Sequence, residues 1–419
     1  MVGSFLYAGA QAQARWELEI INTSIKRRWK VLLVALLPVL LGLGIEVACA
    51  ALPATIGGSK AYMPTFVIPK MFYGSILVGL IAGLITGVIG AGGGYILTPA
   101  LMSFGVRGIM AVGTDQFHLF AKAIMGTVIH RKLGNVNVWL AVWFVVGSFC
   151  GVSLGGMINR VVYQTSPALS DALISIVYVL ILGTLGAYAL VDWLRLRKEG
   201  GMAKTSMEAT SRFAKWLQSI PLVPRVKFDE DIVVGGRSIC VYPVIIIGFI
   251  VGFVSAIMGV GGGFLTFPMF VYGLGVSTFT TVGTDILQII FTTAYSSIFQ
   301  YAIYGFVFYT VAMGMLLGSL LGVQIGALVT TLVKGTLIRA FYALTILAGF
   351  VNRVCALPKK LANAGYITLT EATGKSIDLA GTIIFWMLVG IFAVWILLVF
   401  LRNIGRLRTR GVTIFVEGR

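Results

Sequence analysis

Long apolar runs separated by short polar stretches dominate the pattern of this chain. About ten such runs can be recognised by their length and hydropathy, at roughly 31–52, 72–106, 109–130, 136–158, 170–194, 241–276, 278–303, 306–331, 336–352 and 379–401. A hydrocarbon core about 30 Å thick requires roughly 20 apolar residues for each crossing helix. The pattern therefore predicts an all-α polytopic membrane protein with about 8–10 membrane segments.

Two of these runs are too long for a single crossing, and each contains three consecutive glycines near its middle. Residues 83–99 read GLITGVIGAGGGYILTP, and residues 252–268 read GFVSAIMGVGGGFLTFP. At 1.5 Å per residue, each run would extend about 50 Å as one continuous helix. We expect each helix to break at the glycines, giving either a tilted crossing with an unwound centre or a re-entrant pair of half-helices.

The glycine phrase belongs to a longer internal duplication. Both copies continue with Val-Gly-Thr-Asp, at residues 112–115 and 282–285. Small residues at four-residue spacing also recur, and such spacing lets helices pack closely. These positions, which we assign to helix packing rather than to substrate binding, are Gly147, Ser148, Gly151 and Gly155 in one half and Gly318, Ser319, Gly322 and Gly326 in the other.

The distribution of Lys and Arg favours the re-entrant geometry. If every run crossed the membrane, the long basic loop 195–240 would lie outside, against the positive-inside rule. With both glycine-containing runs re-entrant, most basic residues fall inside, and the loop 353–378 lies outside. This arrangement predicts two inverted repeats with both termini in the cytoplasm.

The predicted organisation has five parts. Residues 1–70 form an N-terminal interfacial segment and a first transmembrane helix, and residues 71–197 form the first repeat. Residues 198–240 form a cytoplasmic linker with a short surface helix and a small hairpin, followed by the second repeat at 241–352. Residues 353–419 contain an outer loop, the last transmembrane helix and a basic cytoplasmic tail.

Composition supports the membrane assignment. Hydrophobic residues make up 58% of the chain and charged residues 11%, with a mean hydropathy of +0.96. The net charge of +17 comes from Lys and Arg at the ends of apolar runs, without the interleaved aromatic residues typical of nucleic-acid binding. We therefore expect lipid, not nucleic acid, as the surrounding partner. The four scattered cysteines lack metal-site spacing, so no metal or cofactor is expected.

The two glycine breaks are the candidate substrate site. Unwound backbone is tolerated inside a membrane only where it faces protein or a water-filled cavity. The half-helices starting near Gly94 and Gly263 would direct free N–H groups and positive dipole ends at the break, which suits an anion. The alternative is a close-contact seam between helices. The glycines assigned to substrate binding are Gly92, Gly93, Gly94, Gly261, Gly262 and Gly263.

Ionisable residues follow each break. Asp115, His118 and Lys122 fall at helical spacings that place them on one face, and ionisable groups inside a span usually mark a functional path. The corresponding helix carries Asp285 and Gln288. For Thr114, Asp115, Thr284 and Asp285, the alternative is capping of a helix N-terminus. We assign proton coupling to Asp115, His118 and Asp285, and substrate binding to Thr114, Lys122, Thr284 and Gln288.

The duplicated GxGGGxxxxP segments, each followed by a Gly-Thr-x helix start, resemble the TauE/SafE sulfite exporter family, also called the toluene sulfonate uptake permease family. The resemblance covers about residues 72–402. It implies a secondary carrier that uses a proton or ion gradient and binds substrate between the two breaks. The family handles sulfite, sulfonates, sulfoacetate and related organic anions. Asp115 and Asp285, in place of small hydroxyl residues, and the His118/Lys122 pair depart from many relatives and leave sulfate or sulfonate uptake open.

These observations predict a secondary active transporter of a sulfur-containing oxyanion that works by alternating access and is coupled to protons. It would lie in the bacterial inner membrane. The alternatives are a passive anion channel, a carrier of a non-sulfur organic anion, and a non-transporting scaffold. An enzyme is not expected, because the chain has no nucleophile elbow, HExxH or Walker motif. The sequence does not determine the direction of transport or the oligomeric state.

Overall fold

The computed structural model of the protein describes most of the chain from residue 69 onwards. The described residues are 69–89, 93–132, 136–198, 212–230, 235–330, 332–333 and 335–414. Nearly all of them are helical, and eight helices are long and apolar enough to cross a membrane. The predicted all-α polytopic fold is thus confirmed. The predicted N-terminal interfacial segment and first membrane helix fall in residues 1–68, outside the described part.

Five helices form the first half. Each glycine break separates a long helix from a shorter one, as the length argument required. In chain order the helices are α1 (Pro69–Ile89), α2 (Gly94–Ser103), α3 (Gly108–Lys132), α4 (Val138–Thr165) and α5 (Pro167–Lys198). Asn137 caps α4, because its side-chain oxygen accepts a hydrogen bond from the Leu140 backbone N–H.

The linker contains the expected short surface helix and hairpin, namely α6 (Arg212–Ser219), β1 (Arg225–Phe228) and β2 (Arg237–Cys240), and the two strands are antiparallel. The second half follows with α7 (Val241–Met258), α8 (Gly263–Leu274), α9 (Thr278–Tyr295), α10 (Tyr309–Thr330), α11 (Gly335–Asn363) and α12 (Glu371–Ile414). The last six residues of α8 are wound as a π-helix, and π and 3-10 turns extend α9 to Tyr304.

The two halves are interlocked through helices that pack at small residues. Helix α1 lies on α10, where a Cβ placed on Gly79 would be 2.2 Å from the Met315 carbonyl oxygen and one on Gly83 would be 2.6 Å from that of Ser319. Because the residue numbers of the contacting pairs increase together along the two helices, α1 and α10 run parallel. Helices α4 and α7 pack in the same way, with Gly151 against Phe249. The packing role predicted for the repeated small residues is therefore confirmed.

The first break turns the chain back on itself. Helix α2 runs antiparallel to α3, because Thr98 lies opposite Asp115 and Met102 lies beside Gly108. Helix α3 runs parallel to α10, and hence to α1, because a bond joins Thr114 to Phe308 and another joins His118 to Ser319 farther along both helices. Helix α2 therefore returns toward the end of the bundle at which α1 begins, which we call the first face.

The second break repeats this geometry from the opposite end of the bundle. Helix α8 runs antiparallel to α9, with Gly263 against Asp285 at one end and a short connection to Thr278 at the other. Helix α9 runs parallel to α4, because Ser148 contacts Thr292 and Arg160 contacts Gln300. Helix α8 returns to the end at which α4 and α7 begin, which we call the second face. In both segments the chain therefore reverses direction between the long helix and the shorter one that follows the glycines.

The chain after residue 352 differs from the sequence expectation. A loop was predicted at 353–378, but α11 continues to Asn363 and α12 begins at Glu371. The sequence predicted a loop here because charged side chains interrupt the apolar run. In the structure these side chains are paired, with Lys359 bonded to Asp378 at 2.7 Å and Lys360 to Asp171 at 2.9 Å. Pairing lowers the cost of extending the helix with charged residues.

Candidate functional site

The two glycine breaks meet inside the bundle. A Cβ placed on Gly94, the first residue of α2, would lie 2.6 Å from the Cα atom of Val260 in the second break. Both half-helices begin where the sequence predicted, and the residue before each start, Gly93 or Gly262, has a positive φ of 109° or 87°. A side chain at either position would be strained. Gly92 lies outside the described residues.

Asp115 lies beside the start of α2. The Thr98 hydroxyl donates to its Oδ2 atom at 2.9 Å, and that oxygen is 3.2 Å from the position that a Cβ on Gly94 would occupy. The other oxygen, Oδ1, is 3.5 Å from Nδ1 of His118. Both of these atoms are buried and have no hydrogen-bond partner among the described residues. A buried carboxylate therefore occupies the positive end of a half-helix.

His118 and Lys122 extend this cluster along α3. The Nε2 atom of His118 is 2.8 Å from the Ser319 hydroxyl on α10. The Lys122 ammonium group donates to the Thr86 hydroxyl on α1 at 3.3 Å. As predicted, Asp115, His118 and Lys122 share one face of the helix. They form a cluster of ionisable groups between α1, α3 and α10, next to the first break.

The second half has a corresponding but uncharged chain of polar groups beyond its aspartate. Oδ2 of Asp285 is 2.9 Å from the Cβ position of Gly263, at the start of α8. Gln288 donates to Oδ1 of Asp285 at 2.8 Å, and Thr292 donates to Gln288 at 2.8 Å. Thr292 also contacts the hydroxyl of Ser148 at 3.0 Å. The two aspartates thus occupy equivalent places, but His118 and Lys122 follow Asp115, whereas Gln288 and Thr292 follow Asp285.

Thr114 and Thr284 occupy matching positions as well. Thr114 accepts a bond from the Phe308 backbone N–H at 2.9 Å, just before α10. Thr284 accepts one from the Asn137 backbone N–H at 3.0 Å, just before α4. The helix-capping alternative is wrong for both Thr-Asp pairs, because α3 begins at Gly108 and α9 at Thr278. The pairs therefore lie about two turns inside their helices.

Several polar residues of this region carried no distinguishing signal in the sequence. Thr98 aligns with a phenylalanine in the second copy of the phrase, so the duplication did not mark it. Ser319 was assigned to packing, although its hydroxyl also contacts His118. Gln116 donates to the Ser255 carbonyl at 2.7 Å and so links α3 to α7. Tyr178 on α5 donates to the Met258 carbonyl at 2.7 Å.

Comparison with known proteins places this geometry in a family context. A family model described as Sulfite exporter TauE/SafE matches residues 75–352. The "Probable membrane transporter protein YjnA" of Bacillus subtilis is 28% identical over 253 residues, covering 60% of this chain and 87% of that protein. The protein YdhB of the same organism, which has the same description, is 24% identical over 272 residues, covering 64% of this chain and 95% of that protein.

A shorter match reaches a plant protein. The "Sulfite exporter TauE/SafE family protein 6" of Arabidopsis thaliana is 34% identical over 79 residues, which is 19% of this chain and 18% of that protein. No solved structure matches the chain. The family model, however, spans both breaks and both Thr-Asp helices. The chain is thus a multi-pass membrane protein that belongs to the TauE/SafE sulfite exporter family.

Proposed function

We propose that the protein is a secondary active transporter of a sulfur-containing oxyanion, coupled to protons. The observation that carries the proposal is the meeting of two glycine breaks, each with a half-helix start and a buried aspartate. Two positive helix ends that converge in a buried site suit an anion. The choice of a sulfur-containing anion rests on the family, whose description names sulfite.

The anion would bind between the half-helix starts. Backbone N–H groups near Gly92, Gly93, Gly94, Gly261, Gly262 and Gly263 would supply donors to it, as helix N-termini do in other anion sites. Lys122 would add a positive charge from α3, and Gln288 a neutral amide from α9. Thr114 and Thr284 already accept backbone bonds, but each hydroxyl keeps a proton that it can donate.

Proton coupling follows from the position of the aspartates. Asp115 and Asp285 each place an oxygen against the first residue of a half-helix, where their negative charge competes with a bound anion. Protonation would remove that competition and let the substrate anion take the helix end. His118, whose Nδ1 atom faces Asp115 and whose Nε2 atom contacts Ser319, would relay this proton.

An inverted repeat would support alternating access. Helices α5 and α11 hold equivalent places in the two halves and pack antiparallel, with Gly183 against Phe350 and Gly186 against Leu347. A two-fold axis that exchanges antiparallel helices lies across them, in the plane of the membrane. One break would then open toward each side in turn. The charge distribution favours a cytoplasmic second face and linker, in a bacterial inner membrane.

The test is a thermal-shift panel on the purified protein. Sulfate, sulfite, thiosulfate, sulfoacetate and taurine would be compared with carboxylates of matching charge. We expect sulfur oxyanions to raise the melting temperature at concentrations where carboxylates do not. Stabilisation by carboxylates alone would assign the protein to non-sulfur organic anions, and no stabilisation by any anion would contradict a transporter of this class.

A further inference from the structure

Tyr178 joins the two breaks through a single hydroxyl group. It lies in the middle of α5 and is fully buried. Its hydroxyl donates to the Met258 carbonyl at 2.7 Å and lies 3.4 Å from the Gly94 carbonyl. Met258 is the last residue of α7, before the second break, and Gly94 is the first residue of α2, after the first break. One side chain from a third helix thus contacts the backbone of both.

Tyr178 donates to the Met258 carbonyl, which lies at the end of α7 where the second break interrupts the helix. The last carbonyls of a helix have no partner within the helix and need one when they are buried. In α7, the Gly259 N–H bonds to the Ser255 carbonyl, which leaves the Met258 carbonyl to an outside donor. Because a tyrosine hydroxyl has only one proton, it cannot bond strongly to both carbonyls at once. In this conformation the hydroxyl proton is donated to the Met258 carbonyl, at the second break.

The proton-coupling site also reaches the second break. Thr98 donates to the carboxyl group of Asp115, and its hydroxyl oxygen lies 2.9 Å from the Cβ position of Gly259, the residue after Met258. The charged groups that act on Tyr178 are Asp115 from α3 and Arg353 from α11. A continuous path therefore runs from the carboxylate beside the first break to the backbone of the second. Protonation of Asp115 would weaken the bond that its carboxylate accepts from Thr98 and, through Thr98, would alter the contact with the second break.

We propose that Tyr178 is a positioning residue that couples the protonation state of Asp115 to the second break. This inference rests on the proposed function. Its role is distinct from substrate binding, because the hydroxyl is committed to backbone carbonyls. Without the hydroxyl, the site would still bind an anion, but protonation at the first break would no longer set the position of the second.

The test uses Tyr178→Phe in proteoliposomes, with Tyr95→Phe as the matched control. Tyr95 is equally buried, on α2, but its hydroxyl contacts Thr345 at 3.4 Å rather than the backbone of a break. Sulfate uptake would be measured with and without an inward proton gradient. We expect Tyr178→Phe to lower the stimulation by the gradient at least fivefold, and sulfate affinity to stay within about twofold. Tyr95→Phe should retain the stimulation.

Thr98→Val provides a second variant that breaks the same path at another link, and it should lose the stimulation as well. If Tyr178→Phe lowers stability and total uptake but keeps the ratio of the two uptake rates, its role is only structural and the inference is wrong. Retained stimulation in Thr98→Val would also contradict it. Wild-type uptake that does not respond to the gradient would instead overturn the proposed function itself.

Discussion

Replacing Asp115 by asparagine tests directly whether this carboxylate competes with the substrate. The change removes the negative charge beside Gly94 but keeps the shape of the side chain and an oxygen that can accept the Thr98 bond of 2.9 Å. A charge held at a helix terminus in a partly buried site is worth up to about 2 kcal/mol. Since 1.4 kcal/mol is about tenfold in affinity, the variant should bind anion about ten to thirty times more tightly near neutral pH.

The pH dependence follows from the same competition. In the wild type, anion binding should strengthen as the pH falls, because protonated Asp115 no longer occupies the helix end. By linkage, each coupled proton changes the affinity by up to about tenfold per pH unit. In Asp115→Asn this contribution disappears, so the affinity should depend less on pH and uptake should lose most of its response to a proton gradient.

The assay is a titration of purified protein with sulfate, or with a sulfonate, whose charge is constant over this range. Binding would be followed calorimetrically at several values between mildly acidic and mildly alkaline pH. Asp378→Asn is the control, because Asp378 pairs with Lys359 away from the breaks. Weaker binding by Asp115→Asn at every pH would refute the competition and make the carboxylate a direct contributor to the site.

Three further substitutions probe separate parts of the site. Lys122→Gln removes a donor that would bind the anion with about 1.5–3 kcal/mol, so sulfate titration should show about ten- to hundredfold weaker binding, whereas Lys359→Gln should bind normally. Gly94→Ala places a Cβ 2.6 Å from the Cα of Val260. It should lower the free energy of unfolding by about 1–3 kcal/mol, measured by melting, and stop uptake. Gly390→Ala, with nothing within 4 Å of its Cβ, should change neither. Ser319→Ala leaves His118 without its contact on α10 and should shift the pH profile of uptake with little change in melting temperature; an unchanged profile would exclude His118 from the proton path.

The main features of the fold could be predicted because they depend on local patterns. Apolar length alone required the two long runs to break, and the glycines marked where α2 and α8 begin. Helical spacing placed Asp115, His118 and Lys122 on one face of α3. The count of basic residues favours a re-entrant geometry, and the chain reverses direction at both breaks. Each of these arguments uses neighbouring residues or one global property of the membrane.

Other features depend on partners that are distant in sequence. The extension of α11 past residue 352 depends on Asp378 and Asp171, which pair with Lys359 and Lys360. Thr98 reaches Asp115 only because the turn at residues 104–107 brings α2 and α3 together in antiparallel order. Patterning cannot show which backbone carbonyls a break leaves free, so it could not identify Tyr178.

The Thr-Asp pairs illustrate a different limit. Each was compatible with an N-cap, because threonine and aspartate are common at helix starts and a glycine precedes them. The helices begin two turns earlier, where the Arg107 carbonyl accepts the Met110 N–H and where Ser277 caps α9. These residues are less conspicuous in the sequence than the repeated Thr-Asp pairs. The pairs are therefore inside the bundle, where an aspartate needs a compensating partner.

The central claim is that the paired breaks move a sulfur oxyanion together with protons. The most direct measurement is uptake of radiolabelled sulfate or sulfonate into proteoliposomes, across a range of concentrations and with an imposed proton gradient. We expect saturable uptake that rises with an inward gradient, falls when the gradient is collapsed, and is absent in Gly94→Ala. Uptake that rises linearly with concentration and ignores the gradient would show a passive channel and contradict it.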